Sequence, residues 1–378
     1  MGVLAGVRIV EMGGIGPVPF CGMLLADMGA QVILVERAAM RAGDPLDLGD
    51  KAIVHRGKRS VALDLKDPRA IDAVLRLVDG ADALIEGMRP GVMERLGLGP
   101  EICRGRNPRL VYGRMTGWGQ DGPLAKAAAH DINYIALSGA LWYGGAPGAP
   151  PTTPPTLVGD LGGGALYLAM GVLAGLLRAR ADGVGQVVDA AIVDGSANLM
   201  NLLLSLHAAG LQPFDRGRGL LDGPYWYGSY VCADGKFVTV GALEPQFHDL
   251  LIEKLGLHGD PDFKDPYDAR SWDQRRRRRL EAIFAARPRR YWVELLEGTD
   301  ACFAPVLTPA EAANHPHLLA RGVYARRNGM LQAEPAPRFS AFPDEVPGPV
   351  PRRGEHGAEI LGAAGLSPAE IAQLIPPK

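Results

Sequence analysis

Residues 127–139 read AAAHDINYIALSG and set His130 directly before Asp131, at the start of an apolar run. Imidazole and carboxylate are the side chains that proteins most readily tune to exchange protons near neutral pH. A second carboxylate, Asp160, ends the proline-rich stretch GAPGAPPTTPPTLVGD (145–160). An imidazole set beside a carboxylate suits a proton-transfer pair. Each also has a plain structural reading. Adjacent side chains on a helix do not face each other, so Asp131 need not meet the His130 ring and suits the cap of a helix beginning at 132. Asp160 suits the N-cap of the apolar helix that follows it. The glycines after it, Gly162 to Gly164, let a ligand approach the backbone. Glu244, in GALEPQF, precedes Pro245 and reads as the acidic start of a helix.

These residues need a frame, and the N-terminal half supplies one. VRIVEM (7–12) is a short β-branched strand, GGIGPVP (13–19) a loop, FCGMLLADMGA a helix and QVILVER (31–37) a second strand. This β-α-β order implies a parallel sheet with right-handed crossovers. The pattern continues with strand 60–64, helix 67–79, strand 82–86, a short helix at 91–96 and a strand within 109–119 that runs into a glycine-rich loop. Pro19 stands where the last glycine of GxGxxG would be, so the frame is Rossmann-like without a nicotinamide fingerprint. The segment 185–210 reads as a strand followed by a long apolar helix. Beyond 211 the composition changes. YWYGSYVCADGKFVTVGAL (225–243) reads as two antiparallel strands joined at ADGK, with helices at 244–257, 271–287 and 290–300 and a last one near 367–374. The expected division is therefore a large domain from 1–210 and 320–378, a small one at 222–310, and linkers at 211–221 and 311–319. RRRRR (275–279) would point in every direction on a helix, which suits a solvated face with acidic neighbours.

Composition excludes several classes. The 378 residues carry a net charge of -2, which argues against nucleic acid as a partner. Cys21, Cys103, Cys232 and Cys302 are far apart, which gives no metal site or disulfide framework and fits a reducing cytoplasm. Arg8 and Glu11 interrupt the apolar N-terminus, so it reads as a strand and not a signal peptide. LYLAMGVLAGLL (166–177) is too short to span a bilayer and reads as a buried helix, so no membrane partner is expected.

Several stretches together resemble the α-methylacyl-CoA racemases, within the wider family III CoA-transferases (CaiB/BaiF-like). They are ADALIEGMRPGVMERLGLGP, RLVYGRMTGWGQDGPLAKAAAHDINYIALSG, PPTLVGDLGGG, GQVVDAAIVDGS, YVCADGKFVTVGALEPQF and PAPRFS, and the likeness runs from residue 4 to about 345. TGWGQDGP and RPGVMERLG mark the wider family, whereas HDINY and EPQF resemble the racemases. Transferase members usually carry an aromatic residue where His130 stands.

The resemblance implies an α/β fold with a Rossmann-like large domain, closed by the C-terminal tail, and a smaller α+β domain. It implies an interlocked homodimer whose active site is shared between subunits. The implied reaction is inversion at the α-carbon of a 2-methylacyl-CoA in lipid metabolism. It needs no metal and no cofactor beyond the coenzyme A of the substrate. His130 and Asp160 then match the proton-transfer residues, one on each face of the α-carbon. Glu244 matches a glutamate from the partner subunit that orients His130, and Asp131 is a candidate support. Carried over as coenzyme A contacts are Arg37, Leu63, Asp64, Leu65, Lys66, Gly87, Met88, Arg89, Arg95, Ala129, Asn133 and Tyr134. Lys66 and Arg95 also read as solvated helix residues, and Leu63 as core. Ala129 stands where relatives often carry glycine. The stretch 211–230, with Tyr225, Trp226 and Tyr227, is the expected acyl contact region. Two other readings fit the same residues: a CoA-transferase with Asp160 as nucleophile, and a non-catalytic acyl-CoA-binding protein.

Overall fold

The computed structural model describes residues 2–38, 47–269, 272–342 and 347–375. Its backbone falls into two compact units. The first comprises Met1–Leu141, Thr153–Leu199 and Ala325–Lys378, and the second Trp142–Thr152 and Met200–Tyr324. The division thus differs from the compositional one. Residues 200–210, both expected linkers and the 142–152 stretch all fall in the second unit.

The first unit is built on six parallel strands. These are β1 (Arg8–Met12), β2 (Gln31–Arg37), β3 (Arg59–Leu63), β4 (Ala83–Glu86), β5 (Val111–Thr116) and β6 (Val187–Ala191), in the order β3-β2-β1-β4-β5-β6. The chain reverses its direction of travel between β1 and β4, and in such sheets the crevice beyond the strand ends there takes ligands. The crossovers include α1 (Pro17–Asp27), α2 (Pro68–Asp79), α3 (Val92–Arg95) and α4 (Pro100–Arg106). Helix α2 shows why these segments form. The Asp67 carboxylate accepts the Arg69 N–H at 2.9 Å, Pro68 opens the first turn, and Ala70, Ala73, Val74, Leu77 and Val78 form one buried stripe. Alternation along the strands sends Val10, Met12, Val35 and Leu84 to the face covered by α2 and by the tail helix Gly357–Ala363. Ile9, Val32, Ile85 and Val111 face α1 and α6 (Leu166–Asp182).

Two features of this unit depart from expectation. Helix α5 starts at Asp131 (Asp131–Leu137), so His130 is its N-cap and Asp131 its first residue. Leu157–Ala165 winds as a π-type helix before passing into α6, with Thr156 at its cap position (φ 64°). Asp160 is therefore inside the first turn and not at the cap. The two segments make one helical stretch of 26 residues, Leu157–Asp182, long and apolar enough to cross a membrane by length and composition. Its Leu168, Ala169, Val172 and Leu176 are nonetheless buried against the sheet.

After α7 (Ile192–Leu199) the chain returns to the second unit with α8 (Asn201–Ala208), so the expected long helix is broken at Met200. Strands β7 (Tyr227–Val231) and β8 (Phe237–Gly241) pair antiparallel as predicted, and β9 (Phe303–Val306) adds an unforeseen third strand beside β8. Around them pack α9 (Pro245–Lys254), α10 (Gln274–Ala285) and α11 (Arg289–Leu296); residue 271, where the predicted helix starts, lies outside the described residues. The arginine run is a solvated face with acidic neighbours: Arg275 and Arg279 meet Asp262, Arg279 also meets Asp260, and Arg276 meets Asp273 at 2.9 Å.

Candidate active site

The sheet presents its expected ligand residues at the carboxyl ends of its strands. Arg37 ends β2, Asp64, Leu65 and Lys66 follow β3, and Gly87, Met88 and Arg89 follow β4. Asp64 turns its loop by accepting the Lys66 N–H at 3.0 Å. Arg37, Lys66, Arg89 and Arg95 are exposed, as phosphate contacts require. Leu63 is different. Its side chain is 1 % exposed within the core and is closed to a ligand.

Asp160 reaches the β1 edge of this crevice. Its Oδ2 lies 3.5 Å from the position of a Cβ on Gly16, the residue that precedes α1. Close packing of small residues puts it there. A Cβ on Gly163 would sit 2.5 Å from the Ser196 Oγ, and one on Gly195 would sit 1.9 Å from the Gly163 carbonyl oxygen. The π-type turn and α7 thus meet backbone to backbone. π-type turns are rare and often occur at functional sites.

The two sequence-distant motifs are joined by Asp131. Its side chain is buried, and Oδ1 accepts the backbone N–H of Asp160 at 2.8 Å. Gly159 makes room, since a Cβ there would lie 2.4 Å from the same oxygen. Asp131 therefore does not cap α5, as its residue type suggested; it holds Asp160. The α5 start is capped instead by Asn133, whose Oδ1 accepts the His130 N–H at 3.1 Å. This leaves the exposed His130 imidazole outside the helix, in extended backbone (φ −136°, ψ 174°).

The electrostatics follow from this geometry. Burial pushes the Asp160 carboxyl up to about 6, the nearby Asp131 charge adds to the rise, and His130 opposes it. A carboxyl in that range gives up and takes back a proton near neutral pH. Tyr134 is buried one turn into α5, and its hydroxyl donates to the Ala129 carbonyl at 2.5 Å. Its ring and that of Trp118 meet edge to face, with centroids 4.7 Å apart. Burial and the Asp160 charge raise the Tyr134 hydroxyl, and Arg89 counters them, so Arg89, Tyr134 and Asp160 share one neighbourhood. Ala129 packs its methyl against the core, and its backbone carbonyl is the acceptor that fixes Tyr134.

The chain has a clear set of relatives. The CoA-transferase family III model matches residues 4–357. The chain belongs to CoA-transferase family III. It is 41% identical to the alpha-methylacyl-CoA racemase of Mus musculus over 377 residues, covering 98% of this chain and 96% of the relative. The racemase of that name from Homo sapiens is also 41% identical, over 376 residues, with the same 98% and 96% coverage. Among solved structures, a CAIB/BAIF family protein from Brucella suis matches at a TM-score of 0.80 and 27% identity, over 96% of this chain and 99% of that one. The fold is thus shared with that solved structure over nearly the whole chain.

Not every predicted site residue gathers in the first unit. Glu244 lies in the second, at the N-cap of α9, with no capping bond from its side chain. Tyr225 and Trp226 are fully buried in that unit's own core, so they are not acyl contacts; Tyr227 alone of the three is exposed. Sequence reading missed the roles of Glu86 and Arg114, which are charged yet buried. The signal was present: Glu86 is the lone charge closing ALIE, and Arg114 the lone charge within VYGRMT.

Proposed function

We propose that this chain is a 2-methylacyl-CoA racemase, with the coenzyme A of the substrate as its sole cofactor. The observation that carries the reading is a half-buried Asp160, raised to about 6 and held by Asp131 beside His130 at the crevice where the sheet reverses. One group takes the α-proton, and the C–H electrons move to the thioester oxygen as an enolate. The other group returns a proton to the opposite face. The two groups end with exchanged protonation, so the reverse reaction uses them in exchanged roles. Arg37, Lys66, Arg89 and Arg95 bind the coenzyme A phosphates, and the backbone of the Gly87–Arg89 loop lies against the thioester arm.

The chain works as a homodimer in this reading, with Glu244 of one subunit orienting His130 of the other. Helix α8 supports it: none of its side chains is buried, and Leu202 and Leu204 are 68% and 45% exposed. A cytoplasmic location rests on four cysteines that carry no disulfide.

The test is α-proton exchange. Purified protein in D2O should wash deuterium into the α-position of a 2-methylacyl-CoA, with no acceptor acid present. Lack of exchange across branched-chain, arylpropionyl and sterol-type acyl-CoAs would overturn the reading. The family also contains CoA-transferases, in which Asp160 would act as a nucleophile. His130→Ala separates the two, because it should abolish exchange and leave transfer between carboxylic acids possible.

A further inference from the structure

Proton transfer leaves one buried charge network unused. Glu86 closes β4 and is fully buried, and a carboxylate taken out of water is costly unless every lone pair is engaged. Both of its oxygens are used. Oε1 accepts from the Arg114 Nε at 3.0 Å, across the strand pairing in which the two residues are direct partners. Oε2 accepts the backbone N–H of Met88 at 2.6 Å. Arg114 is itself 8% exposed and continues outward. Its Nη1 lies 2.8 Å from Glu94 Oε1, and its Nη2 donates to Glu94 Oε2 at 3.3 Å. Glu94 belongs to α3, whose last residue is Arg95.

One guanidinium thus ties the Met88–Arg89 loop to α3. Each of these segments carries an exposed arginine, Arg89 in the loop and Arg95 at the end of α3. Apolar residues would fill the same space at lower cost. A planar five-donor fork, by contrast, fixes distance and angle between the elements it bridges. We propose that Glu86, Arg114 and Glu94 are positioning residues that set Arg89 and Arg95 for the nucleotide phosphates of the CoA thioester. This rests on the reading that Arg89 and Arg95 meet those phosphates.

The test compares a 2-methylacyl-CoA with the same acyl group on pantetheine, which lacks the nucleotide. The quantity read is the ratio of kcat/KM for the two substrates in the full-length enzyme. Arg114→Met should lower the ratio about tenfold, with the loss carried in KM. Arg114→Lys keeps the charge without the fork and should fall between. Glu94→Ala removes only the outer arm and should lower the ratio by about threefold. Because Glu94 is half exposed, this variant carries the test if Arg114→Met fails to fold. A purely structural role would depress both substrates equally, so an unmoved ratio in Glu94→Ala and Arg114→Met overturns the inference. Arg89→Ala and Arg95→Ala are the reference. If they lower the ratio and the network variants do not, positioning alone is overturned. If none of the variants moves it, the phosphate reading fails and takes the inference with it.

Discussion

Two helix starts in this protein share a plan and differ in use. At α5 the N-cap is His130, and at α9 it is Glu244; both side chains are exposed. Behind each lies a buried polar group. At α5 it is Asp131, whose carboxylate reaches the backbone of Asp160. At α9 it is His248, whose Nε2 lies 2.8 Å from the Tyr225 hydroxyl inside the second unit's core. The first links two segments distant in sequence, whereas the second closes on its own unit. The same local device therefore ties two distant segments together in one place and closes a core in the other.

Their pH responses should have opposite signs. The folded state raises Asp160 from 3.8 to about 6, so its contribution to stability is fully present below about 3.8 and is lost as pH rises through about 6. Burial lowers His248 below 6.5, so its contribution is present above 6.5 and is lost as pH falls through the folded value.

The largest effect should come from the first start. His130→Ala or Asp160→Ala should slow α-proton exchange by roughly 10²–10⁴-fold, measured by NMR in D2O. Retention of near-native exchange in either variant would remove that residue from the proton path. Glu244→Gln should cost roughly 10²-fold in exchange while leaving the melting temperature near that of the parent; a fall in melting temperature without loss of exchange would make it a purely structural helix start. Asp131→Ala strands the Asp160 N–H and should destabilise the first unit by about 1–3 kcal/mol in urea. Asp131→Asn keeps the acceptor but removes the charge, so the acid limb of the pH–rate profile should move to lower pH. A limb that stays in place would show that the Asp131 charge does not reach Asp160. The smallest effects separate the two pH signs. Asp160→Asn should stabilise the protein at pH 7.5, with the gain vanishing near pH 4. His248→Gln should flatten the loss of stability between pH 7 and pH 5. Denaturation midpoints moving the other way would break the contrast between the two starts.

Much of the frame is legible in the chain because its signals are local. The β-branched runs and the Asp67-Pro68 cap specify strands and α2 with little outside help. Strand β9 was not legible, because FAPV is short and gains its identity only from β8. The 211–230 aromatics show the limit in another way: Tyr225 and Trp226 are apolar enough for a substrate pocket or a core, and only packing assigns them to the core.

By itself the sequence determined the alternation of strands and helices, the parallel sheet that follows from it, and the residue types at 130, 131, 160 and 244. Only the tertiary structure decided what those residues do for one another. Asp131 reads as a helix cap until Gly159 and the Gly163–Ser196 contact bring the Asp160 backbone against it. Glu86 and Arg114 read as misplaced charges until β4 and β5 pair. The physical reason is that propensity and capping act over a few residues. Burial, which raises Asp160 and makes each buried charge demand a partner, exists only once distant segments have closed around it.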